Sequence, residues 1–109
     1  MSIKFARPAK GRKARHTLDR ARNPEYISQH AVDRFVAEWS LDAERHARVC
    51  RMDGKVIDIA RAEIRALCAA ARRISRNKDS IIIESPPWFI FYRDRAVITV
   101  MHKDSPRKF

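Results

Sequence analysis

No apolar run in this sequence approaches the ~20 residues needed to cross a bilayer, and no apolar stretch follows the basic N-terminus as a secretion signal would require. The expectation is a soluble, cytoplasmic protein with no membrane partner. Cysteine is scarce as well. Cys50 and Cys68 have neither metal-ligand spacing nor a nearby pair of histidines, so no zinc site, no other metal and no disulfide is expected. Cys68 falls on an apolar stripe, where a thiol behaves as a small hydrophobe. Nothing points to a cofactor. Aromatic side chains number nine, most of them within residues 26–39 and 88–92. A chain of 109 residues, 45% hydrophobic, has room for one domain around one modest core.

Negative charge is what the N-terminal end lacks most. Residues 1–24 hold eight Lys or Arg, among them Arg12, Lys13 and Arg15, against the single acid Asp19. The whole chain carries a formal charge of +11. A basic arm on a mildly basic body is the electrostatic footprint of a nucleic-acid binder, although ribosome association or an anionic partner protein would leave the same mark. Pro8, Gly11 and Pro24 interrupt the arm, and it has too few large apolar residues to fold alone. Its expected work is sequence-independent, salt-sensitive attraction. An inert solubilising tail is the alternative, and residues 16–22 have the makings of a short helix on meeting phosphates.

Residues 26–39 (YISQHAVDRFVAEW) form the stretch around which the domain is organised. Ser28 is a good helix N-cap, and Ile27 with Val32 is spaced as a hydrophobic staple. Ala31, Phe35 and Trp39, with Val32 and Val36 beside them, give one apolar face. His30 and Arg34 stand at i and i+4, side by side. A proton-transfer group beside a phosphate-binding group suits a nuclease; a solvated His and a salt-bridged Arg is the plainer reading. Ser40 or Asp42 is placed to cap a short helix ending near Cys50, with Asp53-Gly54 as a turn. Glu44, Arg45, His46 and Arg48 are expected to face water.

Ile57, Ala60, Ile64, Leu67, Ala71 and Ile74 recur at helical spacing, predicting a second main helix from residue 55 or 58 to residue 75 or 76. Arg61, Arg65, Arg72 and Arg76 occupy its other side, either as phosphate contacts or as a solvated face. Residues 77–79 break it. Ser80–Ser85 and Trp88–Arg93, separated by Pro86-Pro87, read as strands, and after an Asp94-Arg95 turn residues 96–103 supply a third. A two-residue turn there would pair Phe91 with Ile98, Phe89 with Val100 and Tyr92 with Val97. Phe89, Phe91, Ile98 and Val100 would face the helices. Trp88, Ile90, Tyr92, Thr99 and Met101 would form an apolar outer face for a substrate, a partner or the arm.

The fold expected is therefore α+β: two main N-terminal helices on a C-terminal three-stranded antiparallel meander, with a flexible basic arm (1–24), one domain (25–104) and a basic tail (105–109).

A helix opening with Ser28, His30, Ala31, Arg34 and Phe35 contributes the first part of a pattern. A second helix with Ala60, Arg61, Glu63, Ile64, Arg65 and Leu67 and a strand reading Val97, Ile98, Thr99, Val100 complete it. Over residues 26–103 the pattern resembles the barnase–EndoU–colicin–RelE ribonuclease superfamily, near its BrnT-like and RelE-like toxin branches of bacteria and phage. The chain departs from that pattern at Trp39, where an Arg often closes the first helix, and in the insertion between residues 40 and 55. The resemblance implies metal-independent RNA cleavage with the RNA 2′-OH as nucleophile. Such chemistry needs a proton carrier and cations on the phosphate. His30 or His102 would serve as acid or base, Arg34 and Lys103 would clamp the phosphate, and Trp88 or Tyr92 would stack a base. A helix N-terminus disfavours added positive charge, which suits His30 to accepting a proton.

Two other functions compete. The chain is otherwise a non-catalytic basic protein that binds nucleic acid or a host enzyme, as a phage takeover or anti-defence factor would, with Arg12, Lys13, Arg15, Arg65, Arg72 and Arg76 as contacts. Or it is a toxin-like fold kept as the regulatory partner of another chain, such as an antitoxin. The nuclease reading requires His30, Arg34 and His102 to converge on one exposed surface.

Overall fold

Ser28 does what its position in the sequence demands. In the computed structural model, which describes residues 12–77 and 80–106, its hydroxyl oxygen accepts the Ala31 N–H at 3.0 Å. That bond satisfies one of the unpaired donors opening helix α2 (Gln29–Glu38). The same hydroxyl donates to the carbonyl of Ile98 at 3.0 Å, so the cap also ties the helix to the sheet. Ile27 and Val32 are both buried in the core cluster, in keeping with the staple spacing. A 3-10 turn (Trp39–Leu41) follows. Asp42 then caps helix α3 (Ala43–Val49), and Gly54, at φ 126°, makes the turn toward helix α4 (Val56–Ala69). A fourth helix, α1 (Arg12–Ala21), precedes them all.

The sheet has five strands: β1 (Tyr26–Ile27), β2 (Arg73–Asn77), β3 (Ser80–Ser85), β4 (Trp88–Arg93) and β5 (Ala96–His102). Their spatial order is β1-β5-β4-β3-β2, antiparallel except for the parallel pair β1–β5. The three-stranded meander expected from the sequence is its centre, and one strand is added at each edge. The edge strand β2 comes from residues assigned above to the end of a helix. α4 stops at Ala69 because pairing with β3 wins from Arg73 onward, where Ile74 lies opposite Ile83. Ile74 packs on the core in either conformation, so the helical period runs past the true helix end.

Register supplies a second correction. A bulge between Phe91 and Tyr92 in the β4–β5 ladder leaves Ile98 as the extra residue. Tyr92 pairs with Val97 as expected, but Phe91 pairs with Thr99 and Phe89 with Met101. A one-residue slip turns a strand over. Trp88, Ile90 and Tyr92 therefore join Val97 and Val100 in the core cluster beneath the helices. Phe89, Phe91, Thr99 and Met101 lie on the opposite face, where Phe91 and Met101 are nonetheless buried.

The N-terminal segment also departs from a wholly flexible arm. Leu18 and Ala21 of α1 pack on the core, and the Arg22 Nε donates to the Ala71 carbonyl at 3.0 Å. Residues 1–11 lie outside the described residues, as do residues 107–109 of the tail. No helix among the described residues is long and apolar enough to cross a membrane.

Candidate nucleic-acid interface

His30 and Arg34 stand one turn apart on the side of α2 turned away from the core, His30 exposed and Arg34 partly buried. His102 occupies a different place. It follows Val100 onto the helix-covered face of β5, opposite Trp88, and is 2% exposed. Its ring meets the Trp88 indole edge to face, with centroids 5.1 Å apart. Its Nδ1 accepts the Asp104 N–H at 3.0 Å, which assigns the ring proton of a neutral imidazole to Nε2. Its backbone N–H donates to Glu38 Oε1 at 2.9 Å, and the Ser105 hydroxyl donates to Glu38 Oε2 at 2.9 Å.

Glu38, at the last turn of α2, therefore clamps the end of β5 and the start of the tail. His30 and Glu38 are eight residues apart on one helix, about 12 Å along its axis. His30 faces outward, whereas His102 lies beneath the far end of that helix. The structure does not bring the two imidazoles and Arg34 to one exposed surface. Lys103 is exposed, and its backbone N–H donates to the Pro87 carbonyl.

Neither aromatic proposed for stacking offers a ring face. Trp88 is fully buried against Phe35, and its indole N–H donates to Asp42 Oδ2 at 2.7 Å. Asp42 also accepts from the backbone N–H and the Nε of Arg45. Burial alone would raise its carboxyl pKa, but the bonds from Trp88 and Arg45, with the Arg45 charge, outweigh it and hold the group below its usual 3.8. Arg45 is no surface residue: its side chain, only 18% exposed, reaches the buried Glu63 of α4, which also takes two bonds from Arg48. These bonds raise the Arg48 pKa further. Of the two caps the sequence offers, Ser40 and Asp42, the structure uses Asp42; Arg45 and Glu63, 18 positions apart, offer no local signal.

Tyr92 is buried as a ring but borders a cavity of about 260 Å³, with Arg20, Asn23, Glu25 and Arg95 as the other walls. Burial pushes its phenol pKa up. The charges of Arg20 and Arg95 pull it down, and Glu25 pushes it up. No sequence pattern marks this cavity, because its walls come from the end of α1, the lead-in to β1 and the β4–β5 turn.

The remaining basic candidates are scattered. Arg65 donates to the Pro24 carbonyl at 2.8 Å and Arg72 is exposed. Arg76 lies in β2 opposite Ile81, its side chain outside the described residues. Arg12, Lys13 and Arg15 fall in the first turns of α1, where the first turn holds no acid; their side chains too lie outside the described residues. No group of three or more His, Cys, Asp or Glu is placed to hold a metal among the described residues. Comparison of the chain with models of known families, with characterised proteins and with solved structures finds no match.

Proposed function

We propose that this chain is a non-catalytic nucleic-acid-binding protein that grips the phosphate backbone through the cations leading into and opening α1. The observation that carries the reading is how charge is partitioned. Residues 1–16 hold six Lys or Arg and no acid, whereas residues 25–106 hold fourteen against twelve acids. The body is close to neutral and the arm is not. Helix dipoles favour anions at the N-terminus, so a first turn containing Arg12 and Lys13 with no acid is opposed by its own backbone. A phosphate there would relieve both the dipole and the mutual repulsion. The ribonuclease reading loses support because His30 is exposed on the outer side of α2, whereas His102 is buried on β5.

Labelled RNA in EDTA tests the choice. The protein should shift the RNA in a gel and return it full length after hours, and Gln at Arg12, Lys13 and Arg15 together should weaken the shift at least tenfold. RNA cleaved by the wild type and spared by His30→Ala would overturn the proposal.

A further inference from the structure

The cavity at the end of α1 is built differently from a simple anion cradle. Its lining residues Arg20, Arg95, Asn23 and Tyr92 carry guanidinium, amide and hydroxyl groups. Glu25 stands among them as an acceptor, which a bare phosphate would repel. The Arg95 side chain partly answers that charge, with NH1 at 3.4 Å from Glu25 Oε2. A carboxylate offers about four lone-pair sites, so this one long contact leaves acceptor capacity for a hydroxyl.

The walls are held in place. The Arg95 carbonyl accepts the N–H groups of Glu25 and Tyr26 at 2.9 and 3.2 Å, and Arg22 and Arg65 pin the intervening segment to the body. Arg95 keeps this position with a left-handed backbone, φ 68°, next to Asp94 at φ 51°. Arg20 lies about 12 Å along α1 from Arg12, so the cavity and the cationic first turn belong to one helix.

Resting on the nucleic-acid reading above, we propose that this cavity seats one ribonucleotide of a bound RNA strand, with Arg20 and Arg95 on its phosphate and Glu25 accepting from its 2′-hydroxyl. A deoxyribose has no such donor, and the carboxylate then has only its long Arg95 contact beside the phosphate. The cavity therefore selects RNA over DNA, while the arm supplies affinity for either.

Anisotropy titrations of the full chain with a ribo-oligonucleotide and its deoxyuridine counterpart of the same sequence test this. Wild type should favour the ribo form about five- to tenfold, the ratio expected of one hydrogen bond at a partly open site. Glu25→Ala should bring the two affinities together, and 2′-O-methylation of the RNA should weaken wild-type binding to the deoxy level. Glu25→Gln, which keeps an acceptor, should retain part of the preference. Equal wild-type affinities, or a preference unchanged in Glu25→Ala, would overturn the cavity assignment and leave the arm reading standing. Absence of binding to either oligonucleotide would overturn both.

Discussion

Replacing Asp42 with alanine removes one carboxylate that answers three demands. It is the N-cap of α3, the acceptor for the fully buried Trp88 indole, and a partner of Arg45. Loss of an N-cap costs about 1 kcal/mol. A buried donor left unpaired costs about 1–3 kcal/mol. The Arg45 pairing adds at most about 1 kcal/mol, since Arg45 keeps Glu63. The three are not additive, and a total of about 3 kcal/mol is expected. With a urea m-value of about 1.5 kcal/mol/M for a chain this size, the midpoint should fall by about 2 M. Asp42→Asn keeps an acceptor and should fall by less than half as much.

The pH dependence follows from the depressed carboxyl. A group whose pKa is lowered by folding contributes stability above its unfolded value, 3.8, and loses it as pH drops through the folded value. The gap between wild type and Asp42→Ala should therefore be full at pH 7 and shrink below pH 4. Urea unfolding followed by Trp fluorescence at both pH values reads this. A midpoint shift under about 0.5 M at pH 7, or a gap that widens in acid, would refute the network as described.

Two further outcomes come from the same interior. Glu63→Ala leaves Arg45 with Asp42 alone and Arg48 with no carboxylate from α4, and should cost about 2 kcal/mol in chemical unfolding, discounted from a fully buried pair because Arg48 is half exposed. A thiol reagent at pH 8 should modify Cys50 in the native chain and spare Cys68, whose thiol is buried and pushed up to about 12. Rapid modification of both thiols would contradict the packing of α4 on the sheet.

Local rules carried the sequence a long way. Ser28 marks its helix end, the sequence narrows the cap of α3 to Ser40 or Asp42, and the Asp53-Gly54 turn precedes α4, because caps and left-handed turns are decided by neighbours a few positions away. The stripe from Ala60 to Leu67 lies in the core as its spacing demands. What failed required partners distant in sequence. β2 depends on β3, and Ile74 satisfies a helical and a strand period equally. The bulge at Phe91/Tyr92 exists only in the pairing, and it exchanged the faces of β4, burying Trp88 where a base-stacking platform was expected. The position of His102 was within reach: it shares the parity of Val100, which was already placed beneath the helices. The cavity walls, drawn from residues 20–25 and 92–95, were beyond any local pattern.

Salt dependence measures the grip of the arm most directly. Each phosphate contact on a single strand contributes about −0.7 to the slope of log K against log salt concentration. If Arg12, Lys13 and Arg15 each meet a phosphate, Gln at all three should flatten the slope by about 2 while the melting temperature of the body holds. An unchanged slope with unchanged affinity would place the contacts elsewhere and contradict the account.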